Sequence, residues 1–363
     1  MTQLDRRRFL QMAGSASFLS AIDGRLGWAA AQPRKAQFAY IGSEHAIHVH
    51  SISEHGPLLE LQTVSSARPV AMAISHGKLY VANGVSEFGN LPRGSVEAYA
   101  IDAATGRLAW INRVPLSLSG VGPRALAVHP NGRSVVVAIH GGGAYNLLNL
   151  EEDGRLGGVT AILKEIGSGP HPLQASAHPS AVIFGREGQV LTADEGVDKL
   201  SVLAVNDGEL TVSARCEVAA GSGPGCMVIH PEGRRVYVAH AFDGSVSGFN
   251  YEPAGHLSRR QTLWASSKSE VASLAMHPSG EALYSSHGRE LQTWKVTANG
   301  DLQALHATEG IQAHTLHIAA DGENLWALSS DAVLRMDIDG ATGIPSAPEK
   351  LASLSNLLSI AIA

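Results

Sequence analysis

Short runs of apolar and small residues, broken by tight polar turns, recur along most of the chain and predict strands rather than helices. The clearest copies are ALAVHPNGRSVVVA from Ala125, MVIHPEGRRVYVAHAFDGSVSGFNY from Met227 and SLAMHPSGEALYSSHGRELQTWKV from Ser273. Each reads as strand, tight turn, strand, and the two longer ones add a further turn and strand. Three weaker copies share the frame: AMAISHGKLYVANGV from Ala71, AVIFGREGQVLTADEGVDKLSVLAV from Ala181 and TLHIAADGENLWALSSDAVLRMDI from Thr315. Gly77, Gly132, Gly188, Gly233, Gly280 and Gly322 occupy the same turn of this frame, where a positive φ is required. They recur at roughly forty to fifty-five residues, the period of a four-stranded propeller blade and too long for a leucine-rich or ankyrin repeat.

The seventh copy is split between the chain ends. LLSIAIA at the C-terminus reads as an innermost strand, and AQFAYIG and IHVHSI near the N-terminus read as its outer partners. The pattern therefore predicts an all-β, seven-bladed β-propeller, closed by pairing of N- and C-terminal strands in one blade so that no sheet edge is left open around the ring. A solenoid or a pair of β-sandwiches is the alternative, and neither explains why the two ends complete one repeat. With no Pro/Ser-rich linker after Pro33, residues 32–363 are expected to form a single domain. SEFGNLPRGS near Ser86 and ILKEIGSGPHPLQ near Ile162 are expected as long loops within blades.

Composition narrows the function classes. The 363 residues are 44% hydrophobic and 17% charged with a formal net charge of -6, as in an ordinary soluble globular protein. Without a Lys/Arg run, neither nucleic acid nor an anionic membrane is an expected partner once the leader is removed. That leader is the RRRFLQ run from Arg6 to Gln11, which reads as a twin-arginine export signal. An apolar stretch from Phe9 to Ile22, too short to span a bilayer, follows, and Ala29-Ala30-Ala31 offers a cleavage site. Residues 1–31 are thus expected to be a signal peptide, and the mature chain to be periplasmic; a general secretory signal or a basic amphipathic helix is the alternative. Cys216 and Cys226 are compatible with one disulfide or with two thiols. A monomer is expected.

The order of GRLAWINRVP, GPRALAVHPNGRSVVVAIHGGG, GSGPHPLQASAHPSAVIF, TADEGVDKL and GSGPGCMVIHPEGRRVYVA resembles the lactonase family of seven-bladed propellers, whose best-known members hydrolyse 6-phosphogluconolactone. The resemblance covers nearly all of the mature chain. It implies a lactonase-type carboxylic ester hydrolase acting on a small-molecule lactone or sugar acid, with a pocket holding a His, an Arg and an acidic residue. His178 matches the first His of the family's P-H-x-H-S stretch and Ser180 stands where the second would be. Gly225 and Cys226 replace an Arg-His pair, Ala241 an acidic residue and Ser273 a Glu.

Propeller geometry places ligands at the loops that enter the innermost strands and at those that follow the second strands, which share one face. The first set offers Arg68, Arg124, His178, Ser180 and His314; the second offers Asn83, His140, Asp194, Asp198, His240 and His287. Lactone hydrolysis needs a base that titrates near neutrality to activate water, and a cation or N–H group to hold the carbonyl oxygen as it turns negative. His178, His240 or His287 with Arg124 are the expected catalytic groups, and Arg68, Asn83, His140, Ser180, Asp194 and His314 the expected substrate contacts. No cofactor is expected. A non-catalytic ligand- or protein-binding propeller is the alternative, and a divalent metal held by His140, His178, His240, His287 and His314 is a third reading. His129, His230 and His277, in the H-P turns, are expected to cap turns on the opposite face.

Overall fold

The second strand of each repeat reads as a near-continuous apolar run, as in Ser134–Ile139 (SVVVAI), because it is covered on both faces by neighbouring blades. The outermost strand instead alternates: in Leu156–Lys164 buried and more exposed positions follow one another with period two. A computed structural model describes residues 37–53, 56–252, 254–267 and 269–363. The proposed export segment at 1–31, with the expected mature start at Gln32, lies outside them.

The described strands form seven four-stranded antiparallel sheets. Blade 1 has the order Leu357–Ile362, Phe38–Ser43, Ala46–Ser51, Leu59–Ser65. Blades 2 to 7 are contiguous in sequence, at 69–115, 123–164, 179–217, 224–264, 271–309 and 315–353. The C-terminal strand pairs with the first through Ala39↔Ile362, Tyr40↔Ala361 and Ile41↔Ile360, as the split repeat predicted. All six turn glycines have positive φ, from 66° at Gly233 to 77° at Gly280. One expectation is corrected: the loop at 84–94 lies within blade 2, but 165–178 connects blade 3 to blade 4, because the strand of Ile162 runs on to Lys164 and is outermost.

Two repeated hydrogen bonds tie neighbouring blades together. A tyrosine on the second strand donates to a turn glycine of the next blade: Tyr40 to Gly106 O, Tyr80 to Gly154 O, Tyr237 to Gly300 O and Tyr284 to Gly343 O, over 2.7–3.1 Å. Its ring fills the apolar layer while its hydroxyl satisfies an otherwise lone carbonyl. In the H-P turns, His230 and His277 accept at Nδ1 from Glu232 N and Ser279 N. Their Nε2–H donates across the blade boundary to Gly280 O and Gly322 O. His129 accepts likewise from Asn131 N. His230 and His277 are thus clasps between blades, and all three histidines lie on the face opposite the candidate site. That face also carries two open grooves of about 900 and 370 Å³, lined by turn residues such as Gly280, Gly322 and Thr342, and Gly132 and Gly154.

Candidate active site

The innermost strands begin with a bulge. In blades 2 to 6 the pairing register skips one residue, namely Val70, Arg124, Ser180, Gly225 and Ala272. A bulge frees its extra residue from the ladder and re-aims the side chain. Arg124 therefore sits on the second residue of an innermost strand, not in the loop before it, and its side chain stays 47% exposed.

The ends of the second strands differ in use. Asn83 pins its own blade's entry loop by donating to Ala67 O at 3.0 Å. Asp194 Oδ1 likewise accepts from the backbone N–H groups of His178 and Gly196, at 2.7 and 2.9 Å. In blade 3 this register belongs to Ile139, which pairs with Pro123. His140, one residue further, instead reaches across to blade 4.

There it meets Glu195. His140 Nε2 lies 2.7 Å and Arg124 Nη1 3.0 Å from the same carboxylate oxygen, Oε1. The His178 ring stacks on His140 with centroids 4.6 Å apart and planes inclined by 17°. His178 Nδ1 is 3.1 Å from His140 O. An acceptor at each contact assigns the protons: His140 carries its hydrogen on Nε2 and His178 on Nδ1. His140 Nδ1 and His178 Nε2 are left as the acceptor atoms, the latter 3.5 Å from Ser176 Oγ.

Burial of Glu195 opposes its ionisation, but the His140 hydrogen bond, Arg124 and the two imidazoles outweigh it and hold the carboxyl below its usual range. Its second oxygen, Oε2, is buried without a hydrogen-bond partner. A Cβ added at Gly225 would lie 3.6 Å from that oxygen, so Oε2 faces a bare stretch of the blade 5 innermost strand. Asp194 behaves in the opposite sense. Burial raises its pKa to about 6, against its two backbone hydrogen bonds, with Glu165 adding to the rise.

The structure thus brings together Arg124, His140 and His178, with Asp194 holding the His178 backbone. The other expected residues lie elsewhere. Arg68 pairs with Glu44 at 2.6 Å. Asn83 is fully buried. Ser180 donates to Ala193 O and Pro224 O, joining blade 4 to blade 5. His240 is buried, bonded to Ser247 Oγ at 2.9 Å and pushed by burial down to about 4. His287 is fully buried against Ser285 Oγ at 2.7 Å. These two, expected as alternative bases, present no surface to a ligand. His314 bonds Thr315 Oγ1 and Ser329 O within blade 7. Asp198 accepts from Gln174, Gly221 N and Gly223 N, an anchor for the loops around it.

Among the described residues no three His, Cys, Asp or Glu side chains converge at metal-ligand geometry, so the five histidines of the metal reading do not form one site. Cys216 and Cys226 are separate thiols. Glu195 was not singled out in the sequence, although it lies inside DEGVD between the two aspartates that were. The signal is an acid on a ligand-face loop beside a strand end; its pairing with His140 and Arg124, 55 and 71 residues away, leaves no mark in the sequence.

A closed seven-bladed propeller carrying one Arg–Glu–His–His cluster on its loop face is the class of protein that fold and site define. Residues 38–354 match the family described as "Lactonase, 7-bladed beta-propeller", and the chain belongs to it. It is 30% identical over 175 residues to a 6-phosphogluconolactonase of Bacillus subtilis, which covers 48% of this chain and 50% of that one. The chain thus spans about half the length of that curated relative. A 6-phosphogluconolactonase of Pectobacterium atrosepticum is 26% identical over 309 residues, covering 80% of this chain and 86% of that one. Among solved structures, the periplasmic gluconolactonase of Pseudomonas aeruginosa superposes with a TM-score of 0.81 at 21% identity, covering 90% of this chain and 99% of that one. At that identity the likeness speaks for the fold.

Proposed function

We propose that this chain is an exported lactonase that opens a sugar lactone by attack of water. The observation that carries the reading is the sharing of Glu195 Oε1 by His140 and Arg124, with His178 stacked against the imidazole. In it a base, the group that orients the base and a cation meet across one blade boundary, the three parts that acyl transfer to water requires.

In this scheme Glu195 fixes the His140 tautomer, leaving Nδ1 to take a proton from water as its oxygen bonds to the lactone carbonyl carbon. Arg124 spends one N–H on Glu195, and its remaining donors hold the carbonyl oxygen as it becomes negative. Collapse of the tetrahedral intermediate breaks the ring C–O bond. The imidazolium returns its proton to the departing alkoxide, giving the hydroxy acid, and a proton from the new carboxyl group passes to solvent. His178, held by Asp194 through its backbone, packs the His140 ring in place.

Export to the periplasm is part of the proposal and rests on the RRRFLQ run. The test is acid release from a panel of aldonolactones by the purified mature chain, followed by titration at constant pH. Release that His140→Ala and Arg124→Ala abolish, with the melting profile unchanged, supports the reading. An inert wild-type chain overturns it. Fractionation of cells expressing the full chain, with Arg7→Lys/Arg8→Lys as control, tests the export.

A further inference from the structure

Four arginines towards this face of the molecule are paired with carboxylates. Arg68 meets Glu44 at 2.6 Å, Arg124 meets Glu195 at 3.0 Å, Arg215 meets Glu165 at 3.2 Å and Arg113 approaches Glu97 at 3.6 Å. Lys164, at the same corner, donates to Gly142 O. Glu195 and Glu165 are deeply placed while Arg124 and Arg215 are about half exposed, so each of these two cations is presented to a ligand with its counter-charge already behind it.

Glu195 is the sharpest case. Its side chain is 9% exposed, and Arg124 and His140 both bind Oε1. Oε2 has no donor at all and points towards Gly225, where the strand offers no side chain. Oε2 is thus buried inside the blade, out of a ligand's reach, and the carboxylate is held against the half-exposed Arg124 guanidinium through Oε1.

Resting on the lactonase reading above, we propose that Glu195 is a specificity-determining residue that restricts the site to uncharged, polyhydroxylated lactones and rejects those carrying a phosphate. A phosphate dianion beside Arg124 would meet a cation whose charge Glu195, 3.0 Å away, already offsets. Like charges a few ångströms apart in a partly desolvated site repel one another. An uncharged polyol suffers no such repulsion, and its hydroxyl oxygens accept from the remaining Arg124 donors. Specificity here is built from a repulsive element rather than from an added contact.

The experiment compares kcat/KM for glucono-1,5-lactone and its 6-phosphate in the mature wild-type chain and in Glu195→Gln, with inorganic phosphate as a competitive inhibitor of both. Wild type is expected to prefer the uncharged lactone at least tenfold and to resist phosphate. Glu195→Gln removes the negative charge beside Arg124. It is expected to lower turnover of both lactones but to narrow their ratio about tenfold, one pKa unit's worth of free energy, and to become sensitive to phosphate. The ratio is the readout that a merely positioning role would not move. Wild type that opens both lactones equally well overturns the inference and leaves the lactonase reading standing, and does so whether or not the variant folds. An equal loss on both lactones in Glu195→Gln likewise reduces Glu195 to a positioning residue. Failure of wild type to open either lactone overturns both.

Discussion

His140 donates from Nε2 to Oε1 of Glu195 over 2.7 Å, across the boundary between blades 3 and 4. The bond spans 55 residues of sequence and depends on the two blades being correctly seated. If the two residues act as one unit, their effects are not additive. His140→Ala is expected to lower kcat by about 10²–10³-fold, because the proposed proton acceptor is gone. Glu195→Ala should cost about tenfold less, since an unoriented imidazole can still accept a proton. The double variant should be no worse than His140→Ala alone. Multiplicative losses in steady-state lactone hydrolysis would separate the two residues.

Arg124 is expected to be sensitive even to a conservative change. Its guanidinium bonds Glu195 through one nitrogen and keeps further donors in a fixed fork. A lysine can make the ion pair or reach the oxyanion, not both in one geometry. Arg124→Lys should therefore lose about 10²-fold in kcat with a small change in KM, the pattern of a lost interaction made only in the transition state. A purely raised KM would assign Arg124 to ground-state binding instead.

The fold was legible because its information is local and repeated. Each blade restates a turn glycine and an apolar run, so six noisy copies outvote one another's exceptions, and the split seventh copy announces the Ala39↔Ile362 pairing. The site was less legible because its information is neither. His178 and Arg124 stand out as polar residues near strand entries, and His140 as a residue after a second strand. Asn83, His240 and His287 carried the same mark and turned out to be pins inside their own blades. What separates His140 from them is a one-residue offset against Ile139, which only the register reveals. The tyrosine latches were legible in principle, as a Tyr in FAYIG, KLYVA, RVYVA and ALYSS, but their glycine partners lie 59–74 residues away.

Two buried groups give the stability a pH dependence of opposite sign. Burial lowers the pKa of His240 from 6.5 to about 4, against Asp243 and Asp198, with Arg259 assisting. Below pH 6.5 the unfolded chain takes up a proton that the folded chain refuses until about 4, so stability is lost as pH falls through this window. Asp194, raised from 3.8 to about 6, acts the other way: the folded chain keeps a proton that the unfolded chain has released, and stability is lost as pH rises from 3.8 to 6. Each contributes a slope of up to about 1.4 kcal/mol per pH unit inside its window. Urea midpoints between pH 4 and 7 are therefore expected to fall more steeply on acidification in Asp194→Asn, and less steeply in His240→Gln, than in wild type. Parallel curves for all three chains would refute both assignments.

The clasps between blades 5 and 6 should carry stability without activity. His230→Ala removes a buried bond to Gly280 O and Tyr237→Phe one to Gly300 O, each leaving a carbonyl without its donor. Each change is expected to cost about 1–2 kcal/mol. Both lie far from the Glu195 cluster in contact terms, so kcat and KM should be unchanged below the melting temperature. Loss of turnover in the folded variants would show that the clasp face communicates with the loop face.

Ring closure concentrates at the C-terminal strand. Ile360 is buried opposite Ile41 and packs in the apolar cluster that contains Ala39, Trp326 and Leu328, while Ser359 donates to Pro69 O on the innermost strand of blade 2. The strand therefore bonds to blade 1 on one side and latches to blade 2 on the other. Ile360→Ala leaves a cavity and should cost about 2–5 kcal/mol, whereas Ile360→Asp places a carboxylate in the same apolar cluster and should prevent the native ring from forming. Removing residues 357–363 strips the inner partner from Phe38–Ser43 and exposes its edge to pairing with another chain. That truncated chain is expected to aggregate on refolding, and to regain solubility and its circular-dichroism melt when a synthetic LLSIAIA peptide is supplied. A truncated chain that melts like wild type without the peptide would mean that the ring holds through face-to-face blade packing alone.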